Sequence, residues 1–131
     1  MELAGTILRG PDFESIEGRI VIEDGRIEAI EEATNVPDRI VSPAFVNAHT
    51  HLGDSIAKEA GRGLSLEALV APPDGLKHRL LREADRDEMV RAMRRSLEFA
   101  LATGTVACLD FREGGVEGVS RLEEAASNLP I

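Results

Sequence analysis

The chain contains no tryptophan and no tyrosine, and its aromatic residues are four phenylalanines. Stacking platforms for nucleobases are therefore scarce. Basic charge is short as well: 15 lysines and arginines stand against 24 aspartates and glutamates, for a formal net charge of −9. That balance argues against a nucleic-acid backbone as partner. Only two of the basic residues are lysines, Lys58 and Lys77. Cysteine is reduced to Cys108, which excludes an internal disulfide and a cysteine-rich zinc site. Its place in the apolar run Thr105–Phe111 reads as a buried core thiol, and a reducing cytoplasm is the expected setting. No run of 18 apolar residues exists, so no transmembrane helix or membrane partner is expected. The N-terminus does not begin with a basic stretch followed by an apolar one, so no signal peptide is expected.

What is present is enough for a core: 131 residues, 43% of them hydrophobic. Residues 1–43 read as a small antiparallel sheet unit. Residues 2–8 form one strand, with Leu3 and Ile7 on one face, and Arg9–Asp12 a turn. Gly18–Glu23 and Arg26–Glu31 flank Asp24-Gly25, a strong hairpin signal. Arg39–Val41 is a further short strand. After Pro43 the character changes. Ala44–Ala48 is short and apolar, as expected of a strand buried on both faces. Residues 52–84, rich in glycine and proline, read as a long loop with helical pieces near 65–70 and 76–83. Residues 86–103 are the clearest helix. Asp85 and Glu88 form its capping box, Val90, Met93, Leu97, Ala100 and Leu101 its apolar stripe, and Gly104 its left-handed cap. Arg91, Arg94, Arg95 and Glu98 fall on the solvated side. Thr105–Phe111 is a second buried-type strand, and Val116, Val119, Leu122 and Ala126 mark a second helix. Residues 128–131 look like the approach to a third strand. Strand, helix, strand, helix, strand is the order of successive β/α units on a parallel sheet, an α/β fold.

The chemistry centres on His49-Thr50-His51, at the end of the apolar run Ala44–Ala48. Strand side chains alternate with period 2, so if residues 44–51 are extended both imidazoles point to one side and can hold one metal ion. Two unrelated histidines in a loop is the plainer alternative for a bare His-x-His pair.

Three segments carry a resemblance. The run 17–30, EGRIVIEDGRIEAI, resembles the opening sheet of the amidohydrolase superfamily. The run 41–53, VSPAFVNAHTHLG, resembles its first barrel strand and metal motif, in the form of the deaminase, chlorohydrolase and imidazolonepropionase branch. The run 103–111, TGTVACLDF, resembles the approach to the second barrel strand. Ala44 stands where the family usually has glycine after proline. The resemblance implies a (β/α)8 barrel beginning in residues 44–131, with His49 and His51 as metal ligands. It implies a divalent metal, zinc first, with iron or manganese as alternatives. The implied reaction is hydrolysis of a C–N bond in a small molecule, by a deaminase or by a hydrolase of cyclic amides or amidines.

Such barrels take about 250 residues, so residues 44–131 have room for two β/α units and a strand stub. The family's later histidines and its late aspartate have no place here. The expectation is therefore an N-terminal fragment, inactive alone, that self-associates or joins a complementary chain. The competing expectation is a non-catalytic assembly module built from the same elements. The remaining candidates are open. Asp110 or Arg112 could contact substrate or orient a histidine, although a strand-end aspartate capping the following loop is the preferred reading. Asn47 and Asp54 flank the motif and could organise it. His78 reads as an exposed helical histidine. Lys58, in a glycine-rich loop, is rejected as a carbamylated metal bridge, and Gly61-Arg62-Gly63 lacks the strand-to-helix context of a phosphate loop.

Overall fold

A computed structural model describes residues 1–131, which divide into two compact units, Met1–Ala44 and Phe45–Ile131. The first unit is a four-stranded sheet of β1 (Glu2–Arg9), β2 (Glu14–Glu23), β3 (Arg26–Glu32) and β4 (Ile40–Val41), in the order β3-β2-β1-β4. The β2–β3 turn follows from Asp24-Gly25, both at positive φ (48° and 75°), the backbone that matches the twist of a tight hairpin. β1 pairs antiparallel with β2, setting Leu3 opposite Ile20 and Ile7 opposite Ile16. Ile7 and Ile20 are the buried centre of this unit. The expected all-antiparallel sheet is corrected at its edge: β4 lies parallel to β1, Thr6 facing Ile40. The reason is topological. The chain after β3 passes to the far side of β1, where Arg39 O accepts from Thr6 N at 2.9 Å and Arg39 Nε donates to Ala4 O at 2.7 Å.

The second unit begins with β5 (Phe45–Thr50), which pairs in parallel with β6 (Thr105–Asp110). Between them run a 3-10 turn (Leu52–Ala57), α1 (Leu66–Val70), α2 (Leu76–Glu83) and α3 (Arg86–Ala102); α4 (Gly115–Ala126) follows β6. This is the β/α order expected, with both short helices in the glycine-rich stretch. Asp85 caps α3 by accepting from Glu88 N at 2.9 Å, and Gly104, at φ +88°, turns the chain out of the helix where a side chain would be strained. The core is Leu52, Met93, Leu97 and Ala125, packed by Val90, Leu122, Ala126, Leu129 and Ile131. It anchors the turn that directly follows His51.

Several expectations are corrected here. β5 is not buried on both faces: it pairs only with β6, and Phe45 and Val46 are 62% and 67% exposed. Residues 129–131 form no strand; Leu129 and Ile131 are drawn onto the helix core instead. The buried face of α4 is Gly118 and Ala125 with Leu122, while Val116 is 88% exposed. Arg94 is not merely solvated. It bonds Glu98 at 3.0 Å and reaches the end of α4, donating to Ala125 O and Ser127 O. Those carbonyls lack intrahelical partners, so a cation there also meets the negative end of the helix dipole. Cys108 is partly rather than fully buried. No helix is long and apolar enough to cross a membrane.

The core assignment has a direct check. Leu97→Ala is expected to destabilise the chain by about 2–5 kcal/mol, whereas Val116→Ala should stay within about 0.5 kcal/mol of wild type. Urea unfolding of both variants measures the contrast; equal losses would contradict the observed face of α4.

Candidate functional site

The period-2 alternation of β5 carries His49 and His51 to the same side of its C-terminal end. Their Nε2 atoms are 3.3 Å apart and their ring centroids 5.2 Å apart. Two imidazoles sharing a tetrahedral zinc at 2.0–2.1 Å have ligand nitrogens about 3.3–3.4 Å apart. The pair therefore fits two corners of such a site. No group of three His, Cys, Asp or Glu side chains able to hold a metal forms in this chain. Asn47 sits one turn of the pleat earlier and its Oδ1 accepts from His49 N at 3.2 Å, so it shapes the backbone of the motif. Phe111 walls the two rings, with centroids 4.5 Å from His49 and 5.7 Å from His51. Its position is fixed by Phe111 N donating to Thr50 O at 2.8 Å, which continues the strand pairing.

Asp110 holds the segment around His51 from the end of β6. Its Oδ1 accepts from Leu52 N at 2.6 Å and from the Thr50 hydroxyl at 2.9 Å, the residues on either side of the histidine. Its Oδ2 lies 3.3 Å from Arg112 Nη1 as an ion pair without a hydrogen bond. Both side chains are almost buried, 5% and 8% exposed. Arg112 also reaches Met93 Sδ and Glu113. It passes so close to Gly53 that a Cβ there would overlap the guanidinium and displace it. Asp110 is thus neither a loop cap nor a partner of an imidazole ring. It acts on the backbone that presents one.

Two residues that the structure places beside His51, Lys77 and Glu113, were not singled out from the sequence. Lys77, on α2, lies 2.5 Å from Glu113 Oε1, 3.1 Å from Asp54 Oδ2 and 3.5 Å from His51 Nδ1. Glu113 Oε1 is itself 3.5 Å from His51 Nδ1. The group draws the long loop, the α2 helix and the β6–α4 loop onto one edge of His51. Burial would raise the Glu113 carboxyl, but its hydrogen bonds, with the charges of Lys77 and Arg112, hold it below its ordinary value. Burial likewise works to lower Lys77, and Glu113 and Asp54 override it to raise the ammonium. The scarcity of lysine was the available signal, since one of only two proves to sit at the site. Asp54 Oδ1, the oxygen turned away from Lys77, is shielded and has no hydrogen-bond partner.

The other candidates lie apart from the pair of rings. His78 is not simply exposed: its imidazole donates to Val70 O at 3.1 Å, tying α2 to α1. Lys58 lies in the turn beyond the 3-10 segment and makes no contact with either histidine ring. Burial, and secondarily the charge of Asp110, push the Cys108 thiol up, away from reactivity.

Two outcomes follow. Asp110→Ala takes from Arg112 one of its two carboxylate partners, leaving Glu113, and frees Leu52 N, for an expected loss of about 1–3 kcal/mol. Faster hydrogen exchange at Leu52 is its local signature; unchanged exchange would contradict the clamp. The Lys77–Glu113 pair has a defined pH window. A depressed carboxyl contributes stability above its ordinary 4.5 and loses it as pH falls through the still lower folded value. A raised ammonium contributes below 10.5 and loses it as pH rises through the higher folded value. The stability deficit of Glu113→Gln is therefore expected to be constant between these limits and to vanish in stronger acid, as read from denaturation midpoints against pH.

Comparison with known proteins identifies the family. A sequence profile of the amidohydrolase family matches residues 40–131. A protein of Methanothermobacter thermautotrophicus, provisionally named an aminohydrolase, is 45% identical over 97% of this chain and 35% of its own length. An Archaeoglobus fulgidus protein with the same provisional name is 36% identical over 87% of this chain and 33% of its own. An uncharacterised protein of Methanocaldococcus jannaschii is 38% identical over 94% and 34%. Among solved structures, the atrazine chlorohydrolase TrzN of Arthrobacter aurescens, crystallised with zinc, matches with a TM-score of 0.64 at 20% identity, over 99% of this chain and 34% of that one. The chain spans about a third of the length of the curated relatives it matches. The profile match and the site geometry together make this chain a member of the amidohydrolase family.

Proposed function

We propose that this chain supplies the opening part of a metal-dependent hydrolase that cleaves a C–N bond in a small molecule, of the deaminase or cyclic amide and amidine type. The observation that carries the reading is the 3.3 Å approach of the two Nε2 atoms at a strand end, matched to a shared metal ion. Zinc is the first choice of metal, supported by the zinc in the chlorohydrolase neighbour; iron and manganese are the alternatives. In this reading β5, α3, β6 and α4 are the first two β/α units of a (β/α)8 barrel, and the histidines stand at the strand ends where barrel sites are built.

When bound, the metal supplies a water acidic enough to ionise near neutral pH. The chain's own residues hold the frame. His49 and His51 offer Nε2 lone pairs. Asp110 fixes the backbone on both sides of His51. Glu113, kept anionic by Lys77, and the Lys77 ammonium both face His51 Nδ1 at 3.5 Å and hold that edge of the ring, leaving Nε2 turned toward His49. Phe111 excludes water from one side of the rings. Two ligands are half of a usual zinc shell, so the chain by itself is proposed to bind metal weakly and to turn over no substrate. Its uncovered β5–β6 face is proposed to be buried by further polypeptide, a complementary chain or a second copy.

Calorimetric titration of the 131-residue chain with zinc tests the reading. One weak site is expected, weakened further in His49→Ala and in His51→Ala, with no ammonia released from amidine or aminopurine substrates. Zinc binding unchanged by both substitutions, or turnover by the 131-residue chain itself, would contradict it.

A further inference from the structure

A cavity of about 750 Å³ opens beside His51, between the 3-10 turn and helices α1 and α2. That size suits a small organic molecule. Its walls are mainly apolar, with Ile56, Leu69, Leu76 and Leu80 among them, and His51, Asp54 and Lys77 line it as well. Lys77 is already engaged, paired with both Asp54 and Glu113. Two more cations line the cavity, Lys58 and Arg62. Neither side chain has a carboxylate within the 4.0 Å of an ion pair, and neither donates a hydrogen bond. Arg26, Arg91 and Arg95 are unpaired too, but Lys58 and Arg62 share the wall of one apolar cavity, where they suit a ligand of opposite sign. Glu59 shares this rim, so the three side chains leave a single net positive charge. That favours a monoanion over a dianion.

We propose that this cavity is a recognition pocket for a small molecule with an apolar body and a terminal carboxylate, the carboxylate held by Lys58 and Arg62. The apolar body lies against Ile56, Leu69 and Leu80. The opposite end of the molecule meets His51, and the assignment of that end as the group to be hydrolysed rests on the hydrolase reading above. Recognition of the carboxylate does not. Arginine supplies a planar fork and lysine a point charge, a combination that fixes a carboxylate's orientation as well as its sign.

The test is an NMR titration of the 131-residue chain, kept metal-free by a chelator, with phenylbutyrate and with its neutral isostere phenylbutyramide. Lys58 and Arg62 are exposed and bond nothing, so Lys58→Gln/Arg62→Gln preserves the fold. The acid is expected to shift backbone amides across residues 56–62, 69 and 80 saturably, and the amide to bind about tenfold more weakly. The double variant should lose about tenfold for the acid and nothing for the amide. Equal affinity for acid and amide, an unchanged double variant, or no saturable shift at these positions would overturn the proposal. The outcome is independent of the metal. Carboxylate discrimination without zinc binding would remove the hydrolase reading alone, and zinc binding without discrimination would remove the pocket alone.

Discussion

The Asp110 carboxylate is the contact on which the geometry around the histidines depends. It joins the C-terminal ends of two parallel strands by accepting from Leu52 N and the Thr50 hydroxyl while facing Arg112 from its other oxygen. A buried carboxylate is tolerable only when its charge is balanced and its lone pairs are engaged. Arg112 and the two donors meet most of that need. The consequence is that the residues on both sides of His51 are tied to the end of β6, Thr50 by its hydroxyl and Leu52 by its N–H. The two Nε2 atoms stand 3.3 Å apart on this frame.

Around this centre the structure spends its polar contacts on holding loops rather than on extending sheets. Lys77 gathers Asp54 and Glu113, Arg112 threads past Gly53 to Met93, and His78 fastens one short helix to another. The apolar core serves the same end: Leu52, directly after the histidine motif, is packed against Met93, Leu97 and Ala125. By contrast the outer parts of β5 and β6 carry exposed Phe45, Val46 and Leu109. Stability and site geometry are thus concentrated where the loop leaves the strand.

The sequence was most readable where one local rule decides the outcome. Asp24-Gly25 dictated a hairpin, Asp85 with Glu88 a helix start, Gly104 a helix end, and the two-residue spacing of His49 and His51 their shared side. It was least readable where distant segments choose the outcome. Nothing local in Arg39–Val41 says that β4 will run parallel to β1. Leu129-Pro130-Ile131 has strand composition, yet the nearby helix core offered a better apolar contact than an unpaired strand edge. Lys77 and Glu113 lie 36 residues apart in sequence and meet only because α2 folds back toward the β6–α4 loop. Val116 misled because the period of α4 admits two faces, and Gly118 rather than Val119 is the residue small enough to lie against the chain.

The central claim is that His49 and His51 present two imidazoles to one metal ion on a frame fixed by this chain. X-ray absorption at the zinc edge, with protein in excess over metal, tests it most directly. The account predicts two imidazole nitrogens at about 2.0–2.1 Å in the wild-type chain and a single one in His51→Ala. A shell made only of oxygen, or one unchanged by His51→Ala, would contradict it.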